Sequence, residues 1–161
     1  MKHTLSVLLR NQPGVLSRVT GLFSGRGFNI ESLCVAETLD PKVSCLTLIT
    51  SGDNNVIEQI TKQLHKLIDV LKVVDIGDGD FVEREMVLIR VSAEAVTRAE
   101  VLRIIDIFRG KVVDVSPKSY VVEVTGSHAK IEAVINILKP IGIKEIVRTG
   151  KIAIARGGAH K

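Results

Sequence analysis

The stretch HTLSVLLRNQPGVLSRVTGLFSGRG, residues 3–27, decides the fold of the chain's first half. Its first seven residues alternate in hydrophobicity and favour extended structure, which predicts a strand over 3–9. Apolar residues then recur with helical spacing, which predicts a helix that ends at Gly25 and Gly27. The predicted core face of this helix carries Val15, Leu16, Val19, Leu22 and Phe23. The chain therefore opens with a strand that passes through NQPG into a helix.

Two further strands and a second helix are predicted before residue 77. The strands, 29–37 and 43–50, flank the turn residues LDPK and are expected to form a hairpin. The helix that follows carries Asn55 and Glu58 at the spacing of a capping box. A last strand is predicted over 70–76, which completes the order βαββαβ.

The same order of elements then repeats, which indicates two similar domains. The second set of strands is predicted over 85–91, 111–115, 119–124 and 143–147, with helices that begin at Thr97 and Ser127. We therefore expect an α+β chain of two tandem ferredoxin-like domains, each with two helices on one face of a four-stranded antiparallel sheet. The expected bounds are 1–77 for the first domain, 78–84 for a linker, and 85–161 for the second domain with its basic tail.

Composition limits the classes of protein to which the chain can belong. A hydrophobic content of 45% argues against disorder, and an aromatic content of 3% implies an aliphatic core. The net charge of +4 is concentrated after residue 138, where six basic side chains stand against one acidic side chain. Contact with an acidic partner or nucleic acid would explain this excess, but a solvated tail is the more frequent explanation.

No catalytic, metal-binding or targeting motif is found in the sequence. The four histidines are scattered, and Cys34 and Cys45 lack the spacing of metal or redox sites. We expect both thiols to be reduced, buried and structural. No signal peptide or membrane span is predicted. These patterns predict a cytoplasmic, non-catalytic chain that has no cofactor or metal of its own and does not contact membranes.

A basic chain of βαββαβ units also raises the hypothesis of RNA recognition. That class of domain stacks bases on aromatic side chains of its central strands. The corresponding strands here carry aliphatic residues, Cys and Thr, and the second copy offers only Tyr120. Nucleic-acid binding is therefore disfavoured.

The NQPG motif, residues 11–14, admits two interpretations. It can be a plain turn between strand and helix, which is the more frequent explanation for such a spacing. It can also bind an anion, since Gly14 leaves the backbone open to a ligand and the N–H groups of Gly14, Val15 and Leu16 would lie at the positive end of the helix dipole. Asn11 would add a side-chain amide. The second copy has SAEAVT at this junction, so only the first copy carries the motif.

Residues 5–33, LSVLLRNQPGVLSRVTGLFSGRGFNIESL, resemble an ACT domain, the amino-acid-sensing βαββαβ module. More narrowly, they resemble the small regulatory subunits of acetolactate synthase, also called acetohydroxyacid synthase. Three later segments, QLHKLIDVLKV, VEREMVLIRV and FRGKVVDV, resemble the same family in the same order. The resemblance covers nearly the whole chain, with an N-terminal ACT domain and a C-terminal ACT-like domain.

The resemblance implies that this chain regulates a large catalytic subunit that carries thiamine diphosphate, Mg²⁺ and FAD. The chain would activate that subunit and impose feedback inhibition by a branched-chain amino acid, usually valine. It also implies a homodimer in which ACT domains pair side by side, with the effector between them. The implied site residues are Asn11, Gly14, Val15 and Leu16 from one subunit and Asn29 and Ile30 from the other.

An alternative stays open at this point: a stand-alone ACT protein that regulates a different enzyme. The identity of the effector is not decided either. Valine, leucine and isoleucine differ by one methylene or one branch point, which is worth only about 1–3 kcal/mol in an apolar pocket.

Overall fold

The structure is a computed structural model that describes residues 1–77 and 80–158. By its internal contacts the chain divides into two compact units, Met1–Val82 with the segment from Lys151 onward, and Glu83–Gly150. The domain bounds expected from the sequence stay a prediction. Residues 78–79 of the expected linker and residues 159–161 of the expected tail lie outside the described residues.

The first unit confirms the predicted order βαββαβ. Its elements are β1 (Lys2–Arg10), α1 (Val15–Gly25), β2 (Ile30–Glu37), β3 (Val43–Ser51), α2 (Asn54–Leu64) and β4 (Val70–Asp75). The four strands form an antiparallel sheet in the order β2-β3-β1-β4. This order places β1 and β3 at the centre and makes β2 an edge strand.

Alternation along the central strands builds the aliphatic core of the first unit. Leu5, Val7 and Leu9 of β1 are buried, as are Leu46 and Leu48 of β3. The buried residues of the two helices complete the same cluster: Val15, Val19 and Phe23 from α1, and Ile57, Ile60 and Leu64 from α2. The core therefore lies between the helices and one face of the sheet, as the pattern of the sequence predicted.

One residue of the predicted core face of α1 is not buried. Leu16 is 38% exposed, whereas Val15 beside it is buried. Consecutive helical residues point about 100° apart, and at the start of α1 it is Val15 that packs into the core while Leu16 points away from it. Leu16 is therefore free to contact another molecule.

The second unit repeats the topology, which confirms the predicted fold class. Its elements are β5 (Phe81–Ser92), α3 (Arg98–Ile107), β6 (Lys111–Val115), β7 (Ser119–Gly126), α4 (His128–Gly142) and β8 (Ile143–Arg148). These strands run in the order β6-β7-β5-β8. An additional strand, β9 (Ile152–Ala155), lies in the segment that groups with the first unit. The strand β9 was not predicted, because the residues after 150 carry no strong pattern.

The predicted helix caps differ in outcome. The α2 helix is capped by Asp53, so the predicted capping box at Asn55 is wrong. Thr97 is the N-cap residue of α3 but makes no side-chain capping hydrogen bond. Ser127 caps α4 as predicted. Asp53 and Asn55 lie two residues apart at the start of α2, and either side chain could accept from the free N–H groups of the first turn. Sequence spacing alone does not decide which of them caps the helix.

A buried ion pair joins β5 to β8 in the second unit. The Glu85 side chain is only 4% exposed. Its carboxylate accepts hydrogen bonds from Arg148 Nε at 2.5 Å and Nη2 at 3.1 Å, and His128 Nδ1 lies at 3.3 Å. Burial raises the pKa of Glu85, but the hydrogen bonds from Arg148 and His128 outweigh it, so the pKa lies below its ordinary value.

We expect Glu85→Gln to lower the free energy of unfolding by about 2 kcal/mol at pH 7, because Arg148 loses its buried counter-charge while staying partly solvated. Because the pKa of Glu85 is lowered in the folded state, its carboxylate stabilises the fold at pH values above the ordinary pKa of 4.5. This contribution is lost as the pH falls through the lower pKa of the folded state. The difference between variant and wild type should therefore shrink in acid. Urea unfolding at pH 7 and below pH 4.5 measures it. Glu145→Gln, at an exposed ion pair with Arg90, is the control and should change stability by less than about 1 kcal/mol.

Candidate functional site

The NQPG turn places Gly14 in a conformation that favours glycine. Gly14 precedes α1 with φ at +83°, and a Cβ added there would meet no atom within 4 Å. The requirement for glycine therefore comes from the backbone angle and not from a lack of space. The N–H of Val15 donates to the Gln12 carbonyl at 3.3 Å, which closes the turn.

This hydrogen bond corrects part of the expected anion site. The Val15 N–H is not free, whereas the N–H groups of Gly14 and Leu16 have no hydrogen-bond partner in the part of the chain that the structure describes. The first turn of α1 contains no acidic residue, while the matching turn of α3 contains Glu100. At the start of α1 an anion would therefore meet free N–H donors and the positive end of the helix dipole. At the start of α3 it would instead meet the carboxylate of Glu100.

Asn11 is held by two hydrogen bonds to the loop between β2 and β3. Its N–H donates to the Lys42 carbonyl at 2.8 Å, and its Nδ2 donates to the Pro41 carbonyl at 2.9 Å. These contacts orient the amide, so its Oδ1 is left as an acceptor. This arrangement suits an ammonium group better than a carboxylate.

A cleft of about 300 Å³ opens beside this turn. Three of the predicted site residues line it, namely Asn11, Val15 and Leu16, and Gly14 lies between lining residues of the turn. The volume is at the lower end of the range of about 300–1,000 Å³ for small-molecule sites. The predicted helix-start residues therefore border one concave surface of suitable size.

The other wall of the cleft was not predicted. It is formed by the end of β2, with Val35, Ala36 and Glu37, and Arg10 lies at the end of β1. Neither Arg10 nor Glu37 forms an ion pair with any residue that the structure describes. These residues can be found only from the register of the strands. Glu37 lies opposite Ser44 of β3, and β3 pairs with β1, which carries Arg10.

Asn29 and Ile30 lie at the opposite end of the sheet. Ile30 pairs with Thr50, whereas Arg10, next to the cleft, pairs with Val43. Seven residues of β3 separate these positions, which is about 23 Å. One chain therefore does not bring the two predicted halves of the site together.

Among residues 1–77 and 80–158, which the structure describes, every helix is too short or too polar to span a membrane. No group of three or more His, Cys, Asp or Glu side chains among them is arranged to hold a metal ion. Cys34 and Cys45 are free thiols and are only partly buried, so the expectation that both are buried is wrong.

Comparison with known proteins identifies two family models that match this chain. Residues 5–72 match the AHAS small subunit-like ACT domain, and residues 84–157 match the small subunit of acetolactate synthase. The acetolactate synthase small subunit of Aquifex aeolicus is 54% identical over 96% of this chain and 81% of the relative. The probable acetolactate synthase small subunit of Archaeoglobus fulgidus is 50% identical over 98% of both chains.

A solved structure supports the same comparison. The crystal structure of the acetolactate synthase small subunit from Thermotoga maritima has a TM-score of 0.89 and 42% sequence identity. The match covers 97% of this chain and 98% of that chain. The similarity therefore extends over both βαββαβ repeats.

Proposed function

The chain belongs to the family of acetolactate synthase small subunits, and from that membership we propose that it activates a catalytic subunit and makes it sensitive to feedback inhibition by valine. The catalytic subunit would hold thiamine diphosphate, Mg²⁺ and FAD, and would form acetolactate or acetohydroxybutyrate. The present chain would catalyse no step and hold no cofactor or metal. We place the complex in the cytoplasm, without nucleic-acid or membrane contacts.

The observation that supports an amino-acid effector is the combination of opposite charges and an apolar wall in one small cleft. The effector's carboxylate would lie against the N–H groups of Gly14 and Leu16, with the Arg10 guanidinium nearby. Its ammonium would donate to Asn11 Oδ1 and to Glu37. The leucine and valine side chains that line the cleft favour an effector with an aliphatic side chain.

The positions of Asn29 and Ile30 support a homodimer paired along β2. This edge strand has no neighbour on its outer side in the described sheet, and an unpaired edge favours pairing with another strand. In a two-fold pair, β2 would run antiparallel to its copy, so the start of one strand would face the end of the other. Asn29 and Ile30 of the second subunit would then lie beside the Glu37 end of β2 and complete the cleft.

The proposal is tested by reconstitution with the catalytic subunit. We expect the isolated chain to show no turnover of pyruvate, because its titratable groups are not arranged as an acid–base or nucleophile pair at the cleft. Added to the catalytic subunit, the chain should raise the rate and confer inhibition by valine. Copurification with a thiamine-dependent large subunit would separate this function from that of a stand-alone sensor.

Two outcomes would contradict the proposal. Pyruvate turnover by the purified chain would show that it is catalytic. A catalytic subunit whose rate and valine response do not change on addition of the chain would exclude the regulatory role. Calorimetry with valine, leucine and isoleucine, each titrated into the full chain, would identify the effector.

A further inference from the structure

Two loops of the first unit expose large aliphatic side chains at their tips. The loop between β2 and β3, residues 38–42, carries Leu39, which is fully exposed. The loop between α2 and β4, residues 65–69, carries Ile68, which is 81% exposed. We refer to them as the 38–42 loop and the 65–69 loop. Neither tip contributes to the core of the unit.

Both loops lie at the end of the sheet that carries the cleft. The 38–42 loop leads into β3 at Val43, which pairs with Arg10, and the 65–69 loop leads into β4 at Val70, which pairs with Leu9. Because β3 and β4 lie on either side of β1, the loops are about two strand spacings apart, or about 10 Å. One partner surface can therefore contact both tips.

The two loops are anchored by hydrogen bonds, so their exposed tips are preformed. In the 38–42 loop the Asp40 carboxylate accepts from the Lys42 N–H at 2.9 Å, and the Asp40 carbonyl accepts from the Val43 N–H at 2.9 Å. In the 65–69 loop the buried Asp69 carboxylate binds Arg18 at 3.0 Å. A preformed apolar tip loses less conformational entropy on binding than a mobile one does.

The same hydrogen bonds connect both loops to the cleft. Asn11 donates to the Pro41 and Lys42 carbonyls of the 38–42 loop. The N–H of Arg10 donates to the Asp69 carbonyl at 2.9 Å, and Arg18 of α1 holds the Asp69 side chain. A ligand that displaces the turn around Asn11 would therefore also displace the two tips.

The charges around the tips define the chemistry of a complementary surface. Lys42 and Lys66 are exposed, and neither forms an ion pair with a residue that the structure describes. The Asp40 carboxylate is already engaged by a backbone N–H. Two aliphatic tips bordered by free cations fit an apolar patch that is bordered by carboxylates.

We propose that the Leu39 and Ile68 tips form the surface through which this chain contacts the catalytic subunit, at an apolar patch bordered by acidic residues. This inference rests on the proposed function. A second copy of the chain would not contact both tips. It would pair along β2, whereas Ile68 lies beside β4, at the opposite edge of the sheet. The effector cleft and the contact with the catalytic subunit would then share one rigid set of hydrogen bonds.

The test compares Leu39→Ser, Ile68→Ser and the double variant with Val96→Ser in activation of the catalytic subunit. Val96 is a matched control because it is also an exposed aliphatic residue, 93% exposed, but lies in the second unit. The catalytic subunit is titrated with each full-length chain, and the concentration for half-maximal activation is measured. We expect each single variant to raise it about tenfold and the double variant to raise it further, with no change for Val96→Ser.

Two further measurements sharpen the test. Binding of valine to each isolated full-length chain, measured by calorimetry, should be unchanged, because neither tip lines the cleft. Lys66→Glu should weaken activation most at low salt, whereas a neutral or reversed effect would contradict an acidic border on the partner.

Several outcomes would overturn the inference. Activation curves for the tip variants that match wild type would do so. The inference would also be overturned if Leu39→Ser lost the homodimer in sedimentation but kept its affinity for the catalytic subunit. That result would mean that Leu39 contacts the second copy of the chain. Failure of the wild-type chain to activate the catalytic subunit is a different result, since it would contradict the proposed function itself.

Discussion

Gly14→Asp is expected to abolish inhibition of the reconstituted enzyme by valine while the catalytic subunit is still activated. The new carboxylate would lie beside the N–H groups that are expected to bind the effector's carboxylate. At about 4 Å and an effective dielectric constant of about 20, two such charges repel by about 4 kcal/mol. This corresponds to about a thousandfold loss of affinity, whereas one lost hydrogen bond would cost only about 1 kcal/mol.

The backbone of Gly14 makes a matched control necessary. Any side chain is strained at φ of +83°, by about 1–2 kcal/mol, although Asn and Asp adopt this region more readily than other residues do. Gly14→Asn has nearly the same shape and strain as Gly14→Asp but no charge. We expect it to weaken valine inhibition by about tenfold or less, so the difference between the variants isolates the charge.

The measurement is a valine titration of acetolactate formation, with calorimetric binding to the isolated chains as a second readout. Coupling between allosteric sites is typically about 1–3 kcal/mol, so a thousandfold loss of affinity removes regulation at ordinary valine concentrations. A Gly14→Asp curve that matches wild type would mean that NQPG is only a turn. Equal losses in the Asp and Asn variants would mean that backbone strain, and not charge, controls the site.

Mixing Gly14→Asp with Asn29→Ala chains is expected to restore valine binding that neither variant has alone. Gly14 and Asn29 lie at opposite ends of the sheet. If one effector site uses both residues, as we propose, each subunit of a dimer contributes one half of it. In a mixed dimer one site combines the intact half of each variant, and the other site carries both defects. Random mixing should therefore restore about a quarter of the sites.

A second mixture provides the control for this experiment. Gly14→Asp and Asn11→Ala alter the same half of the site, so every site in their mixed dimer keeps one defect and no binding should return. The Asn29 side chain is exposed, and the backbone contact of Asn29 with Thr50 does not require it, so Asn29→Ala should leave the fold intact. Recovery in both mixtures, or in neither, would contradict a site shared between subunits.

Periodic spacing along the chain was sufficient to predict most of the fold. The alternation of Leu5, Val7 and Leu9 identifies a strand, and the helical recurrence of Val15, Val19 and Phe23 identifies the helix that covers it. Each signal arises within one element, because burial on one face of a strand or helix repeats with a fixed period. The repetition of the whole pattern was likewise enough to predict two βαββαβ units.

Part of the candidate site could also be read from residue types. A glycine after proline at a strand-to-helix junction indicated an open backbone, and the residues around it line a cleft in the structure. The same reasoning was wrong about the Val15 N–H, which closes the turn, and about Leu16, which is exposed. Both errors concern the direction in which groups of the first helical turn point. Periodic spacing does not determine that direction, because no earlier turn of the helix precedes these residues.

The second wall of the cleft depends on contacts that no local pattern contains. Glu37 comes near Arg10 because β3 lies between their strands in a particular register, and Asn29 is carried to the far end of the sheet by the same pairing. Strand order and register are decided by side chains that are distant in sequence and pack together, whereas hydrophobic period reports only which face of each element is buried. The sequence alone therefore specified the elements, the repeat and the turn, and tertiary pairing determined which of them form the cleft.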